Sequence, residues 1–324
     1  MRTGLIAVTL CACSFHAGEA PSEPDATTPT VVAPDAPPPV HGPYPIVLAH
    51  GLFGFSSLGP LDYFYGISDA LTASGRKVYA PRVDAVQSAE VRGAQLVMAI
   101  EAARLDSGAD KVIVIGHSQG GMDARWAAAH DPDAIAAVVT VATPHRGSPV
   151  ADVALGLAPG DSTAALDVIA DFFGISTSGS TTSFAGALQS LSSAGAAQFN
   201  ADTPDVPSIP YFSVAGRSNL AANDACAPAA APFMATWDGD RDPIGAELVP
   251  IVAILAAASL PATPTNDGLV TVDSATWGQF LGCVPADHLD EVCQIAGQSP
   301  GLGNNFDCLG FWRGLEQTLR AQGI

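Results

Sequence analysis

KVIVIGHSQGG, from Lys111 to Gly121, joins an apolar run to a glycine-flanked serine. Val112, Ile113, Val114 and Ile115 are β-branched and uninterrupted, which predicts a strand covered on both faces in a parallel sheet. Gly116-His117-Ser118-Gln119-Gly120 follows directly. A G-x-S-x-G segment placed there predicts a tight strand-to-helix elbow that strains the serine backbone and lifts its Oγ above the sheet. The flanking glycines suit turns with no room for a side chain, and a helix opening at Gln119 would aim its free amides at the serine. Taken alone, the pattern also describes an ordinary Gly/Ser loop. The strand before it and the helical MDARWAAAH behind it favour the elbow.

Outward from the elbow, strand and helix alternate. Pro45 to Ala49 predicts a buried strand ending in the turn His50-Gly51-Leu52-Phe53-Gly54, whose backbone amides are free for a ligand. Tyr63 to Ser74 predicts a helix stopped by Gly75, and Lys77 to Val83 a strand. Ala89 to Leu105 predicts a long helix with Val91, Leu96, Ile100 and Leu105 toward the core and Arg92 and Arg104 in solvent. Ala136 to Ala142 and Ile209 to Ala215 add two more core strands. The alternation predicts an α/β fold built on a doubly wound, mostly parallel sheet. Ala151 to Asn200 breaks it with an Ala-, Leu-, Ser- and Gly-rich insert. Its apolar patch at Leu166, Val168, Ile169, Phe172, Phe173 and Ile175 reads as a helical lid over a cleft. Leu248 to Leu260 is apolar but too short to span a bilayer, and predicts a packed helix.

The chain has 324 residues, of which 48% are hydrophobic, and a formal charge of −19. With only 13 Lys and Arg it is a poor candidate for nucleic-acid binding, which needs clustered positive charge. Residues 1–18 read as an export signal. Arg2 is the positive end, Leu5 to Leu10 the apolar core, and Leu10-Cys11-Ala12-Cys13 resembles a lipobox with Cys13 as the anchored residue. Residues 19–42, rich in Pro, Ala, Thr and Asp, read as a disordered tether before a catalytic domain over 43–324. An extracytoplasmic location follows, secreted or as a cell-surface lipoprotein. Cys226, Cys283, Cys293 and Cys308 then allow two disulfides in three connectivities. Of these, Cys226–Cys283 with Cys293–Cys308 is the expected pairing, and a metal cluster is disfavoured because the chain has no Cys-x-x-Cys pair.

A nucleophilic serine needs a base, and the base needs a carboxylate to fix its tautomer. In α/β hydrolases the chain order is Ser, Asp or Glu, then His. His288 is the only histidine after the carboxylate of Thr265-Asn266-Asp267-Gly268-Leu269-Val270, which is expected to precede a strand. Order therefore selects Ser118, Asp267 and His288, with Asp273 and Asp287 as competing acids and His145 as a competing base. Asp290 and Gln294 lie one helical turn apart, so their oxygens would share a face and could hold a hard cation with Asp242. Calcium suits such an all-oxygen set better than zinc.

YPIVLAHGLFG (Tyr44 to Gly54), GHSQGG (Gly116 to Gly121), ATPHRGSPVAD (Ala142 to Asp152), NDGLV (Asn266 to Val270) and HLDEVCQ (His288 to Gln294) together resemble the secreted bacterial true lipases that mature with a dedicated foldase. The resemblance implies an α/β-hydrolase fold with a lid and hydrolysis of triacylglycerols at an oil–water interface. It makes Ser118 the nucleophile, His288 the base and Asp267 the acid, with the Leu52 and Gln119 amides as oxyanion donors. It implies a calcium held by the side chains of Asp242 and Asp290 and the carbonyls of Gln294 and Gln298, with Asp238 or Asp240 as substitutes for Asp242. Two features depart from the family. The cysteine often found after NDGLV is absent, with Asp273 in that region and Cys283 as a substitute, and the anchor and tether put the foldase requirement in question. The rival expectations are a carboxylesterase for soluble short-chain esters and a non-catalytic lipid-binding lipoprotein, which would have a broken triad.

Overall fold

The computed structural model describes residues 43–54, 57–58, 61–172, 181–218, 226, 229–259, 262–297, 300–301 and 303–324. The expected export signal, Cys13, the tether, Gln298, and Phe173 and Ile175 of the insert lie outside the described residues. In chain order the strands are β1 (Ile46–Ala49), β2 (Ser57–Leu58), β3 (Leu61–Asp62), β4 (Val78–Tyr79), β5 (Val112–His117), β6 (Ile135–Val141), β7 (Tyr211–Gly216) and β8 (Gln279–Val284). The helices are α1 (Ile67–Ala73), α2 (Ala89–Ser107), α3 (Gln119–His130), α4 (Pro149–Ala154), α5 (Ser162–Phe172), α6 (Thr181–Leu191), α7 (Ser193–Asp202), α8 (Val249–Ala258), α9 (Val272–Ala275) and α10 (Cys308–Ala321).

Six strands form one sheet in the order β4-β1-β5-β6-β7-β8, every neighbouring pair parallel. β2 and β3 form a separate antiparallel hairpin. Alternate side chains of the central strands feed two cores, as a strand covered on both faces requires. Ile46, Leu48, Ile113 and Ile115 pack with Phe311, Trp312 and Leu315 of α10. Val47, Val112 and Val114 pack on the other face with Leu96 and Ile100 of α2 and Ala124, Ala127 and Ala128 of α3.

Among the described residues the insert carries four helices rather than one amphipathic segment. Val150 and Val153 of α4, Ile169 of α5, Leu188 and Leu191 of α6 and Phe199 of α7 share a core with Leu248, Ile251 and Leu255. α8 is therefore packed as expected, with Pro250 tolerated in its first turn, where its missing N–H would have had no partner.

Several local expectations are corrected. α2 buries Arg92 completely and exposes Val91 and Leu105, because Arg92 finds a buried partner in Asp123 of α3. The strand expected over Lys77 to Val83 contracts to β4, and the helix expected from Tyr63 begins at Ile67. No strand follows Asn266 to Val270. Thr271 caps the short helix α9 by accepting from the Ser274 amide, and the strand arrives only at β8. Both disulfides are the expected ones, Cys226–Cys283 and Cys293–Cys308.

Candidate active site

The turn between β5 and α3 puts Ser118 at φ 56°, ψ −131°, a strained conformation for a residue with a side chain. Its amide is tied to the Val141 carbonyl at 2.9 Å, so the backbone is anchored to β6. A Cβ at Gly116 would stand 2.3 Å from the Gly120 oxygen, and one at Gly120 would stand 2.1 Å from the Ala49 oxygen. Only glycine fits at either place, so the spacing of the elbow has a steric origin.

His288 and Asp267 meet beyond the C-terminal ends of β8 and β7. His288 Nδ1 lies 2.7 Å from Asp267 Oδ2, and the His288 amide donates to the Asp267 carbonyl at 2.9 Å. The other carboxylate oxygen of Asp267 accepts the amides of Leu269 and Val270 at 2.8 and 2.7 Å. Asp267 is thus fixed on both oxygens, and it leaves Nε2 of His288 as the ring nitrogen available for a reacting serine. Ser118 and His288 line the same cavity of about 620 Å³.

His145 and Asp287 are occupied elsewhere. His145 is buried between Arg125 and Thr140, at 3.3 and 3.0 Å, and stacks on Trp277. Asp287 accepts the amides of Gly245, Leu289 and Asp290. The carbonyl of Asp273 accepts from Arg146.

The loop after β1 abuts the nucleophile, since a Cβ on Gly51 would fall 3.2 Å from Ser118 Oγ. Among the described residues no partner lies within hydrogen-bond reach of the Leu52 or Gln119 amide, whereas the neighbouring Gly51, Phe53 and Gly54 amides are all used. Arg92 holds this loop, donating to the His50 carbonyl at 2.5 Å and to Asp84 O at 2.6 Å while pairing with Asp123 at 2.8 Å. The His50 ring bonds Gly51 O and Val83 N. Burial, reinforced by the Arg92 charge, lowers its pKa to about 4, so it is neutral.

A second buried chain of polar groups lies beneath the site. Gly51 N–H donates to Tyr63 Oη at 3.0 Å, Tyr63 Oη is 2.7 Å from His117 Nδ1, and His117 Nε2 is 3.3 Å from Glu291 Oε2. The His117 and His288 rings are 4.6 Å apart. Burial lowers the His117 pKa well below the usual range, with the neighbouring His288 adding to it. Burial raises that of Glu291, helped by Asp267 and Asp287. Tyr63, His117 and Glu291 were not singled out from the sequence, where His117 fills the elbow and Glu291 is one more acid after His288.

Carboxylate oxygens of Asp242, Asp287 and Asp290 lie within 4.8 Å of one another. Asp242 Oδ1 accepts from Asn304 at 3.1 Å, while its buried Oδ2 has no partner among the described residues. Burial, with neighbouring acids adding, raises Asp242 to about 7 and Asp290 to about 8. A buried cluster of acids with an orphaned oxygen fits a hard divalent cation. Asp242 lies in this cluster, whereas Asp240 accepts from Asn305. Asp287, weighed in the sequence as an acid for the triad, joins the cluster.

The expected side-chain partnership of Asp290 with Gln294 is absent. Residues Asp290–Val292 form a short 3₁₀ helix that ends at Cys293 with φ 60°, so no α-helical turn relates them. Gln294 Nε2 donates instead to the carbonyls of Asp62 and Tyr63.

The cavity wall is mostly apolar, from Leu52 and Phe53 of the β1 loop, Val150 of α4, Ile169 of α5, Leu188 of α6, and Leu269. The insert thus supplies much of the surface facing Ser118. Such a cavity suits an apolar chain and presents one polar corner at Ser118 and His288.

A family profile described as alpha/beta hydrolase fold matches residues 44–239. A triacylglycerol lipase of Vibrio cholerae is 47% identical over 119 residues, 37% of this chain and 38% of that protein's length. A triacylglycerol lipase of Pseudarthrobacter phenanthrenivorans is 32% identical over 286 residues, covering 78% of this chain and 90% of that protein. The crystal structure of Staphylococcus hyicus lipase superposes with a TM-score of 0.59 at 16% identity, covering 88% of this chain and 98% of that one, a likeness of fold.

Proposed function

The chain belongs to the α/β hydrolase family, and from that premise we propose that it is a triacylglycerol lipase acting through Ser118, His288 and Asp267. The observation that carries the reading is the Asp267–His288 pair at 2.7 Å on the same apolar cavity as the strained Ser118. Ser118 Oγ attacks the ester carbonyl while His288 Nε2 takes its proton. Asp267 stabilises the imidazolium without itself taking the proton. The amides of Leu52 and Gln119 receive the oxyanion, each worth about 3 to 4 kcal/mol of barrier. The proton on His288 passes to the leaving alcohol, and water then hydrolyses the acyl-enzyme by the same steps. The helices over residues 151–200 act as a lid that shields this chemistry from water and opens to a lipid surface.

Calcium is held by the carboxylates of Asp242 and Asp290, with Asp287 beside them. Its contribution is structural, neutralising the acids next to the His288 loop. The two disulfides and the bacterial relatives fit an extracytoplasmic protein, and no described helix is long and apolar enough to cross a membrane. We further propose attachment through Cys13, with foldase assistance in maturation.

The test is hydrolysis of an emulsified long-chain triglyceride by Ser118→Ala. Turnover should fall by roughly a millionfold. Near-parental turnover would refute the mechanism. Strong preference for dissolved short-chain esters over the emulsion would replace the lipase reading with a carboxylesterase.

A further inference from the structure

Helix α2 buries Ala89, Leu96, Ile100 and Ala103 and turns its opposite side to solvent. That outer side carries Val91, Met98 and Leu105, which are 42%, 66% and 75% exposed and stand one heptad apart. Exposed Ala94 and Ala102 fill the steps between them. On a helix of 3.6 residues per turn these five fall within roughly 40° either side of Met98, pointing directly away from the core. An apolar stripe of this length on the outer face of a helix is an unpaired packing surface.

The stripe has a property that selects its occupant. It reads alike in both directions about Met98, with Val91 mirrored by Leu105 and Ala94 by Ala102. A two-fold interface sets one patch against itself so that each contact occurs twice with the copies exchanged, and a stripe that reads alike in both directions meets that condition. We infer that the chain pairs with a second copy of itself through antiparallel α2 helices centred on Met98. Val91 of one copy packs against Leu105 of the other. The small Ala94 and Ala102 let the backbones approach, and the flexible Met98 side chains fill the centre.

The charges at the edge agree with this pairing. Glu90 and Arg104 lie on one flank of the stripe, two heptads apart, so reversal sets Glu90 of one copy beside Arg104 of its mate. Arg104 already sits against Glu101 at 2.7 Å and is partly exposed, with its remaining donors at the helix edge. The stripe itself contains no charge, which matters in a chain of formal charge −19 whose copies otherwise repel. Antiparallel helices also oppose their dipoles. One helix pair buries less than a standard interface, so the dimer is weak, with a Kd on the order of 10 to 100 μM.

Sedimentation velocity of the parent chain over a concentration series that brackets this range tests the inference. A monomer–dimer equilibrium is expected, and Met98→Glu, which places two carboxylates on the axis, should raise Kd at least tenfold while leaving hydrolysis of a dissolved ester unchanged. Cysteine pairing reads the geometry. Met98→Cys should cross-link to itself, whereas Val91→Cys should link to Leu105→Cys in a mixture and not to itself, with the parent chain as the control for its own cysteines. A parent that stays monomeric throughout overturns the inference, including the case in which α2 is occupied by a vesicle or by another protein instead. So does a dimer untouched by Met98→Glu, or a Val91→Cys chain that links to itself, which would mean a different face or a parallel pair.

Discussion

Tyr63 Oη and His117 Nδ1 stand 2.7 Å apart, and the same hydroxyl accepts the Gly51 amide at 3.0 Å. One phenol therefore ties the loop bearing the Leu52 amide to the residue next to Ser118. His117 continues the connection to Glu291 on the loop of His288. The Ser118 elbow, the Leu52 loop and the His288 loop are joined by a single buried path, and disturbing it should affect their relative placement more than the fold.

Tyr63→Phe keeps the ring and removes only the hydroxyl. Losing its hydrogen bonds to Gly51 and His117 should raise the barrier by about 1 to 2 kcal/mol, a roughly 5- to 30-fold fall in kcat with KM nearly constant. Steady-state kinetics on a dissolved ester checks this. Unchanged kcat would mean that the loop carrying Leu52 is held without the Tyr63 hydroxyl.

Arg92 is the other anchor, with its guanidinium shared among Asp123, Asp84 O and His50 O. Arg92→Ala leaves the Asp123 carboxylate buried without its partner and should cost about 3 to 5 kcal/mol of stability. Urea unfolding of the variant measures the loss, and a change within 1 kcal/mol of the parent, the ~1 kcal/mol typical of ordinary substitutions, would show that the pair is dispensable.

Three buried histidines give acid sensitivity a definite sign. His50 has a folded pKa of about 4, and burial lowers His117 and His145 as well. A histidine whose pKa is depressed in the folded state binds its proton more readily when unfolded, so its contribution is complete above the unfolded value near 6.5 and is lost toward the folded one. The histidine contribution should fall as pH drops from about 6.5 to about 4, with His50 alone accounting for about 3 kcal/mol, while the raised acids act in the opposite sense. Denaturation of the parent and of His50→Gln at a series of pH values isolates it, and a stability difference between the two that stays constant across that window would contradict a neutral, buried ring.

The acids near the proposed calcium site carry the opposite sign. In the cation-free chain Asp242 and Asp290 titrate at about 7 and about 8, above the ordinary carboxylate value. Raised acids favour the folded state while protonated, and that advantage disappears as pH rises through the folded values. Chelation should therefore lower Tm more at pH 9 than at pH 6, because bound calcium replaces the protons. Calorimetry with and without EDTA gives the comparison, and an equal Tm at pH 9 would argue against a cation there. Asp242→Asn should reduce the calcium-dependent part of Tm at the same pH.

Much of the site was legible because chain order and local sterics carry it. The elbow needs Gly116 and Gly120, and both would clash with any side chain. Asp267 and His288 followed from their order after Ser118, and they meet at 2.7 Å. The buried partners were not legible. Arg92 looked like a solvated residue because helical periodicity reports the apolar positions and is silent about a charge that finds its counter-charge on another helix. Asp290 and Gln294 looked like neighbours on one helical face, but a 3₁₀ turn and the left-handed Cys293 separate them.

By itself the sequence determined the parallel α/β frame, the strained serine and the chain order of Ser118, Asp267 and His288. These depend on local backbone geometry, hydrophobic periodicity and residue order. Only the tertiary structure decided that Tyr63, His117 and Glu291 form one buried chain, that Asp287 joins Asp242 and Asp290, and that the outer face of α2 is apolar. Those relationships join residues far apart in the chain, or depend on which side of an element is left uncovered. Periodicity within one segment cannot specify either, because burial is a property of the packed neighbours.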